Sequence, residues 1–401
     1  MKKKKWTRKR HQVLMGILRL IFRPLAFFKW GFRYNRLPDL KSPHLIFCNH
    51  QTVWDQFLLG LMCGSKTYFV MTDDIFSVRF VGKLLKFLLN PIPFKKASTD
   101  FTILRTCRQV ASEGGSIAIF PEGNRTYSGK TEYIKPSTIK MMKFLKLPVA
   151  IFHIEGGYGM YPRWADKGRK GKFKGIVYKI YQYEEYKDIP EDELYKLICN
   201  DLYVDDTLLD IKVKSRKNAE YLERVIYNCP KCGFTHFISK NDLLTCTTCN
   251  MTLRYTESLE FIGINKKAPF RNVKEWYIYQ QEELFKMDLI NYNQNKVIFE
   301  EVVEFREIIP RKRRIVFDKN ATLKMYCNRI EIIYKDKKDT YMFDEISSSG
   351  VFGRNKMNFF IGNRVFQFLK DKRFNAMKFV NLYYKYKIEK GEENNDKFLG
   401  L

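Results

Sequence analysis

Residues 44–57 read "HLIFCNHQTVWDQF". Leu45 to Cys48 form a short apolar run that ends on Asn49 and His50, and from about Thr52 the apolar residues recur at helical spacing. A buried strand feeding directly into a helix is the building unit of an α/β layer. It places His50 at the C-terminal end of a strand, the edge at which open α/β sheets bind ligands. Asp55, five residues on, can fold back across the helix start, fix the imidazole tautomer and stabilise its protonated form. On spacing alone a plainer account competes: Thr52 as a helix cap, with His50 and Asp55 a satisfied polar pair.

Working outward, "TYFVMTD" (67–73), "SIAIF" (116–120), "LPVAIFHIEG" (147–156) and "KGIVYKIYQY" (174–183) read as further strands. "VGKLLKFLLN" (81–90) and "STDFTILRTCRQVASEGG" (98–115) have helical periodicity, the second ending on glycines, the usual helix stop. Strands separated by helices predict an α/β domain with a largely parallel mixed sheet. "PEDELYKLICNDLY" (190–203) and "RKNAEYLERVIYN" (216–228) extend it as helices. From about residue 290 the pattern changes to short strands: "KVIFEEVVEF", "RRIVFD", "ATLKMYC", "RIEIIYKD", "TYMFDEI", "NFFIG" and "RVFQFL", closed by the amphipathic "RFNAMKFVNLYYKYK". The expected organisation is a basic amphipathic segment over 1–35, an α/β domain over 36–227, a cysteine module over 228–256 and a β-rich domain over 265–395.

"IFPEGNRTYSG" (119–129) also follows a buried strand and should emerge at the same sheet edge as His50. Pro121 and Gly123 impose a turn that frames a carboxylate, Glu122, and a guanidinium, Arg125. Arginine suits bidentate phosphate recognition, and turn N–H groups add to an anion site. The pair "NHQTVWD" and "FPEGNRT" resembles the glycerolipid acyltransferase family in residue type, order and a separation of about seventy residues. "PIPFKK" (91–96) and "KLPVAIF" (146–152) match two weaker blocks, so the resemblance covers roughly residues 36–185. It implies that His50 deprotonates the hydroxyl of a lysophospholipid, oriented by Asp55, and that the oxygen attacks an acyl thioester. It also implies that Glu122, Gly123, Arg125 and Thr126 hold the turn and the acceptor's phosphate end, with acyl-CoA or acyl carrier protein as donor. The likeliest product is phosphatidate, made from 1-acylglycerol 3-phosphate. Lys96 stands where the family has arginine; it keeps a point charge for phosphate but loses the bidentate fork.

Nine cysteines are present, and four of them form two C-x-x-C pairs, Cys229/Cys232 and Cys246/Cys249, thirteen residues apart. Four thiolates at this spacing suit a closed, structural Zn²⁺ site of the zinc-ribbon type. Gly233 and Asn250 supply the turns that follow each pair, and His236 is expected outside the ligand set. The β-rich region resembles a pleckstrin-homology-like fold by topology alone, and "IIPRKRRIVF" (308–317) gives it a basic patch suited to anionic lipid.

The formal charge of +28 favours anionic partners. "MKKKKWTRKRH" runs into "QVLMGILRLIFRPLAFFKWGF", which Arg19, Arg23 and Lys29 interrupt. No window supplies the roughly 20 uncharged apolar residues of a spanning helix. The pattern fits interfacial helices at a membrane rich in anionic lipid, on the cytoplasmic face of the cell membrane, although a solvated basic tail would also carry it. Two competing functions remain in view: a nucleic-acid-binding zinc-ribbon protein with a degenerate enzyme domain, and a lipid-binding scaffold. Both motifs are intact in residue type, which disfavours nucleic acid as the partner.

Overall fold

The structure, a computed structural model, describes residues 5–36, 43–72, 84, 86–94, 102–309 and 314–391. Lys96 lies outside the described residues, as do part of the helix read over 81–90 and the arginine-rich centre of 308–317. The chain divides into two compact units, Met1–Arg163 with Gly168–Lys214, and Trp164–Lys167 with Ser215–Leu401.

The first unit is built on a seven-stranded sheet in the order Phe32–Tyr34, Phe173–Tyr181, Val149–Glu155, Leu45–Cys48, Ser116–Ile119, Thr67–Thr72, Ile92–Phe94. Every neighbouring pair is parallel except Val149–Glu155 against Phe173–Tyr181. The expected mixed, largely parallel sheet is therefore present. Its central strand explains why: Leu45, Ile46, Phe47 and Cys48 are all fully buried. A strand apolar on both faces can be covered only by layers above and below. Helices Thr102–Ser112 and Ser137–Leu145 follow strands of this sheet, and their Val110, Ile139 and Met142 join Leu45, Phe47, Ile117 and Ile151 in one core. In the parallel register Phe47 lies opposite Ile119, so the segments after both strands leave the sheet at one edge.

A single helix, Lys9–Trp30, occupies the N-terminal segment among the described residues, where several interfacial helices were expected. Its inner side buries Met15, Ala26 and Trp30, and Trp30 meets Trp54 at 5.2 Å while Phe22 meets Phe57 at 5.4 Å. No helix among the described residues is long and apolar enough to cross a membrane.

The second unit differs more from expectation. Residues 216–228 do not form a helix; they hold one 3₁₀ turn, Leu222–Arg224, entered through a left-handed Tyr221. Leu222 to Tyr227 are buried one after another, so this stretch is held by packing on all sides. "RRIVFD" and "ATLKMYC" are one strand, Ile315–Met325, because irregular register opposite Val303, Phe305 and Arg306 absorbs the turn-like "DKN". Helix Val273–Phe285 and strand Ser348–Phe352 are additions. The helix had a readable start, since the Asn272 side chain accepts from the Glu275 N–H three residues on.

Four short antiparallel strands (237–240, 243–246, 252–255 and 261–263) follow the first cysteine pair. A second, seven-stranded sheet is wholly antiparallel, in the order Lys337–Met342, Arg329–Tyr334, Ile315–Met325, Phe299–Glu307, Arg364–Leu369, Lys356–Ile361, Ser348–Phe352. The closing helix, Met377–Glu389, is more enclosed than an amphipathic pattern suggests: Met377 to Lys387 are all buried. Its Lys378 is neutralised by Glu301 at 2.8 Å.

Ile151, fully buried on Val149–Glu155, tests which contacts hold the first unit. Ile151→Ala should cost roughly 2–5 kcal/mol, read as a lower urea midpoint. An unchanged midpoint would show that this sheet is not the stabilising core.

Candidate active site

The edge shared by Leu45–Cys48 and Ser116–Ile119 carries both motifs. Asn49 is fully committed to the sheet: its Nδ2 donates to the Ile154 carbonyl at 2.9 Å and its Oδ1 accepts the Ile154 N–H at 2.7 Å. His50 follows, its side chain 17% exposed and its ring stacked on Phe120 at 4.4 Å. Its Nδ1–H donates to Asp55 Oδ2 at 2.8 Å, which leaves the Nε2 lone pair as the ring's basic position.

Asp55 is fully buried in the first turn of helix Asp55–Met62. Besides the imidazole, it accepts the N–H groups of Gln51 (2.6 Å) and Thr52 (2.8 Å) and the Thr52 hydroxyl (2.6 Å). The Thr52 hydroxyl in turn accepts the Trp54 N–H at 3.0 Å. Thr52 is not the helix cap, a position that Trp54 takes without a side-chain bond, but the satisfied polar pair is present and Thr52 belongs to the network that orients the histidine.

The second motif clamps His50 through the backbone. Glu122 Oε1 accepts the His50 N–H at 2.6 Å, Glu122 Oε2 accepts the Glu132 N–H at 2.7 Å, and the Thr126 N–H donates to the His50 carbonyl at 2.9 Å. Glu122 is buried, and burial pushes its carboxyl well above the usual range against the pull of those two donors. Gly123 has φ 67°, a left-handed turn that favours glycine. Thr126 is buried, with its Oγ1 accepting the Gly129 N–H at 3.0 Å. Arg125 is partly exposed and stands close enough to act electrostatically on His50.

Burial lowers the His50 pKa, Asp55 opposes this, and Arg125 and Arg163 add to it. The base is therefore neutral near pH 7. Cys48, two residues before His50, is buried, and burial holds its pKa far up. It stays a thiol with no nucleophilic character. The arrangement can supply a basic nitrogen held by a carboxylate, with two guanidinium groups close enough to act on it.

Sequence reading missed Asp206 and Gln51. Asp206, fully buried, accepts Gln51 Nε2 (2.9 Å), Gly156 N–H (2.9 Å) and Tyr158 N–H (3.0 Å). Burial pushes its carboxyl up to about 7 against those donors. The one available signal was the Asp205–Asp206 doublet, of which Asp205 caps the next turn and accepts the Tyr203 hydroxyl.

In the second unit the Sγ atoms of Cys229, Cys232, Cys246 and Cys249 all lie within 4.8 Å of one another, and none is in a disulfide. The Cys229–Cys249 separation of 3.9 Å is close to the edge of a tetrahedron with metal–sulfur bonds of about 2.3 Å. Gly233 (φ 70°) and Asn250 (φ 57°) make the turns after each pair. His236 lies outside the cluster and pairs with Glu301 at 2.9 Å.

Residues 32–153 match the family model described as Acyltransferase. The chloroplast 1-acyl-sn-glycerol-3-phosphate acyltransferase BAT2 of Brassica napus is 25% identical over 124 residues, 30% of this chain and 36% of its own. LPAT1 of Arabidopsis thaliana, a chloroplast enzyme of the same description, is 27% identical over 98 residues, 24% of this chain and 27% of its own. The chain thus spans about a third of these curated relatives. The crystal structure of the 1-acyl-sn-glycerophosphate (LPA) acyltransferase PlsC from Thermotoga maritima aligns over 48% of this chain and 80% of its own, at 20% identity and a TM-score of 0.40. Residues 32–153 thus carry an acyltransferase domain by that match. The cysteine cluster and the antiparallel sheet lie beyond the matched segment.

The electrostatics are open to a direct check. In an NMR titration, His50 should titrate below 6.5, and Asp55→Asn should move it lower still by removing the charge that raises it. A rise in that variant would contradict the assignment of Asp55 as its partner.

Proposed function

We propose that the protein is a membrane-peripheral acyltransferase that moves an acyl chain from a thioester to the free hydroxyl of a lysophospholipid, 1-acylglycerol 3-phosphate before others. The observation that carries this reading is the His50–Asp55 pair at 2.8 Å, on the sheet edge that also bears the Phe120–Thr126 turn. The proton transfers of the reaction run through His50. As the acceptor oxygen attacks the thioester carbonyl, its proton passes to His50 Nε2. The tetrahedral intermediate collapses, the C–S bond breaks, and the imidazolium returns the proton to the leaving thiolate. Asp55 holds the ring and stabilises its cation throughout. Arg125 holds the acceptor's phosphate and Glu122 and Gly123 keep the turn in place, with Lys96 as a further cation in this reading. Acyl-CoA and acyl carrier protein are both suited, as anionic donors, to the basic chain.

Support for membrane contact comes from the outer side of helix Lys9–Trp30. Val13, Ile17, Leu20, Ile21, Leu25 and Phe28 are exposed at helical spacing, Leu20 and Phe28 to 77%. An apolar face with the exposed cations Arg23 and Lys29 beside it is the composition of a helix lying in an anionic interface, here the cytoplasmic face of the cell membrane. The cysteine cluster is read as a structural Zn²⁺ site, and the antiparallel sheet with its closing helix as pleckstrin-homology-like.

With acyl-CoA and lysophosphatidate, the purified protein should release free thiol, and His50→Ala should lower the rate by about 10²–10⁴. Wild-type rates in that variant would sink the mechanism. Elemental analysis of the purified protein should find zinc near one equivalent, lost in Cys246→Ser. Metal-free wild-type protein with full thermal stability would remove the zinc reading.

A further inference from the structure

One buried cation beside the site belongs to neither motif. Beyond strand Val149–Glu155 the chain makes one helical turn, Gly157–Met160, and then runs through Tyr161 and Pro162 to Arg163. Three bonds fix this turn: Asp206 accepts the Gly156 and Tyr158 N–H groups, and Gln51 Oε1 accepts the Tyr158 N–H at 3.2 Å. A Cβ on Gly157 would sit 2.5 Å from that Gln51 oxygen, so only glycine allows the approach. Gln51 is the residue after His50. The turn that delivers Arg163 is therefore pinned to the same loop as the base.

Arg163 ends up beneath the second motif. Its side chain is 7% exposed, its NH1 donates to the Arg125 carbonyl at 3.1 Å, and its guanidinium lies 4.2 Å from the centroid of the Tyr127 ring. A guanidinium on a ring and a carbonyl is held in a geometry that a lysine cannot reproduce.

We infer that Arg163 is a positioning residue for acyl transfer: it fixes the Arg125 backbone from below and adds a second positive charge behind the site that receives the anionic acceptor. The inference rests on the acyltransferase reading and concerns its acceptor side. The charged groups around His50 are Asp55 from its helix, Glu122 and Arg125 from the turn, and Arg163 from the segment after Met160. Both arginines push the imidazole down, and Asp55 pushes it up. Loss of Arg163 should raise the His50 pKa and leave Arg125 less well held.

The test compares Arg163→Gln and Arg163→Lys with wild type by thiol release, varying lysophosphatidate and acyl-CoA separately across pH. Arg163→Gln should raise the KM for lysophosphatidate about tenfold, the size of one lost charge-assisted bond. The KM for acyl-CoA should stay put. The acid limb of its kcat/KM profile should move to higher pH. Arg163→Lys keeps the charge and should leave the limb in place, while still raising the acceptor KM through loss of the carbonyl clamp. If Arg163→Gln keeps the wild-type acceptor KM and the wild-type limb, the inference is wrong. It is equally wrong if both variants lose rate only in step with lowered thermal stability. Should wild-type protein transfer no acyl group at all, the acyltransferase reading fails instead. The His50 NMR titration in Arg163→Gln then decides: an upward shift upholds the electrostatic link, and no shift overturns it.

Discussion

A fully buried carboxylate has to be satisfied by the chain around it, and Asp55 takes its donors from a stretch of six residues: the His50 ring, the backbone N–H groups of Gln51 and Thr52, and the Thr52 hydroxyl. A buried anion left short of donors costs several kcal/mol. The loop is thereby confined to one shape. Local order and chemical competence have the same source here: the bonds that start the helix leave Nε2 of His50 as its free basic atom. The parallel register of Leu45–Cys48 with Ser116–Ile119 then brings Glu122 and Thr126 onto the His50 backbone, one accepting its N–H and the other donating to its carbonyl.

What could be read from the chain followed the range of the interaction. "LIFC" and "SIAI" announce buried strands because apolar residues on both faces leave no exposed side. His50 and Asp55 are legible because their contact is local. Asp206 is not, since its partner Gln51 lies 155 residues away, and nothing near a doublet of aspartates says which one turns inward. Arg163 was hidden for the same reason. Glu122 shows the complementary limit: its residue type is plain in the sequence, but that both oxygens bind the chain's own N–H groups is a fact of tertiary structure. In residues 216–228, helix-forming residue types yield to a single 3₁₀ turn entered through a left-handed Tyr221, a case of tertiary packing overriding local propensity.

The second unit obeys different rules from the first. Its strands are antiparallel, and its largest sheet tolerates two register shifts in one strand pair. Buried charge in it is managed by convergence: Glu301 takes Lys378 at 2.8 Å, Lys370 at 3.0 Å and His236 at 2.9 Å. His236 follows the first cysteine pair and Lys378 belongs to the closing helix. One carboxylate thus bonds to the cysteine module, to the antiparallel sheet's end and to the closing helix, all within the second unit.

Asn49 shows how a chain can leave a sheet without cost. One N–H of its primary amide and the amide oxygen go to the two backbone groups of Ile154. The side chain stands in for the peptide that the departing strand no longer provides. Val149–Glu155 thus keeps an unbroken ladder one position further than the backbone of its neighbour reaches. Aspartate has no donor to complete this imitation, and leucine of similar size has neither group. The dipeptide Asn-His is a surrogate peptide bond fused to a base: the first residue ends the strand so that the second can be free of it.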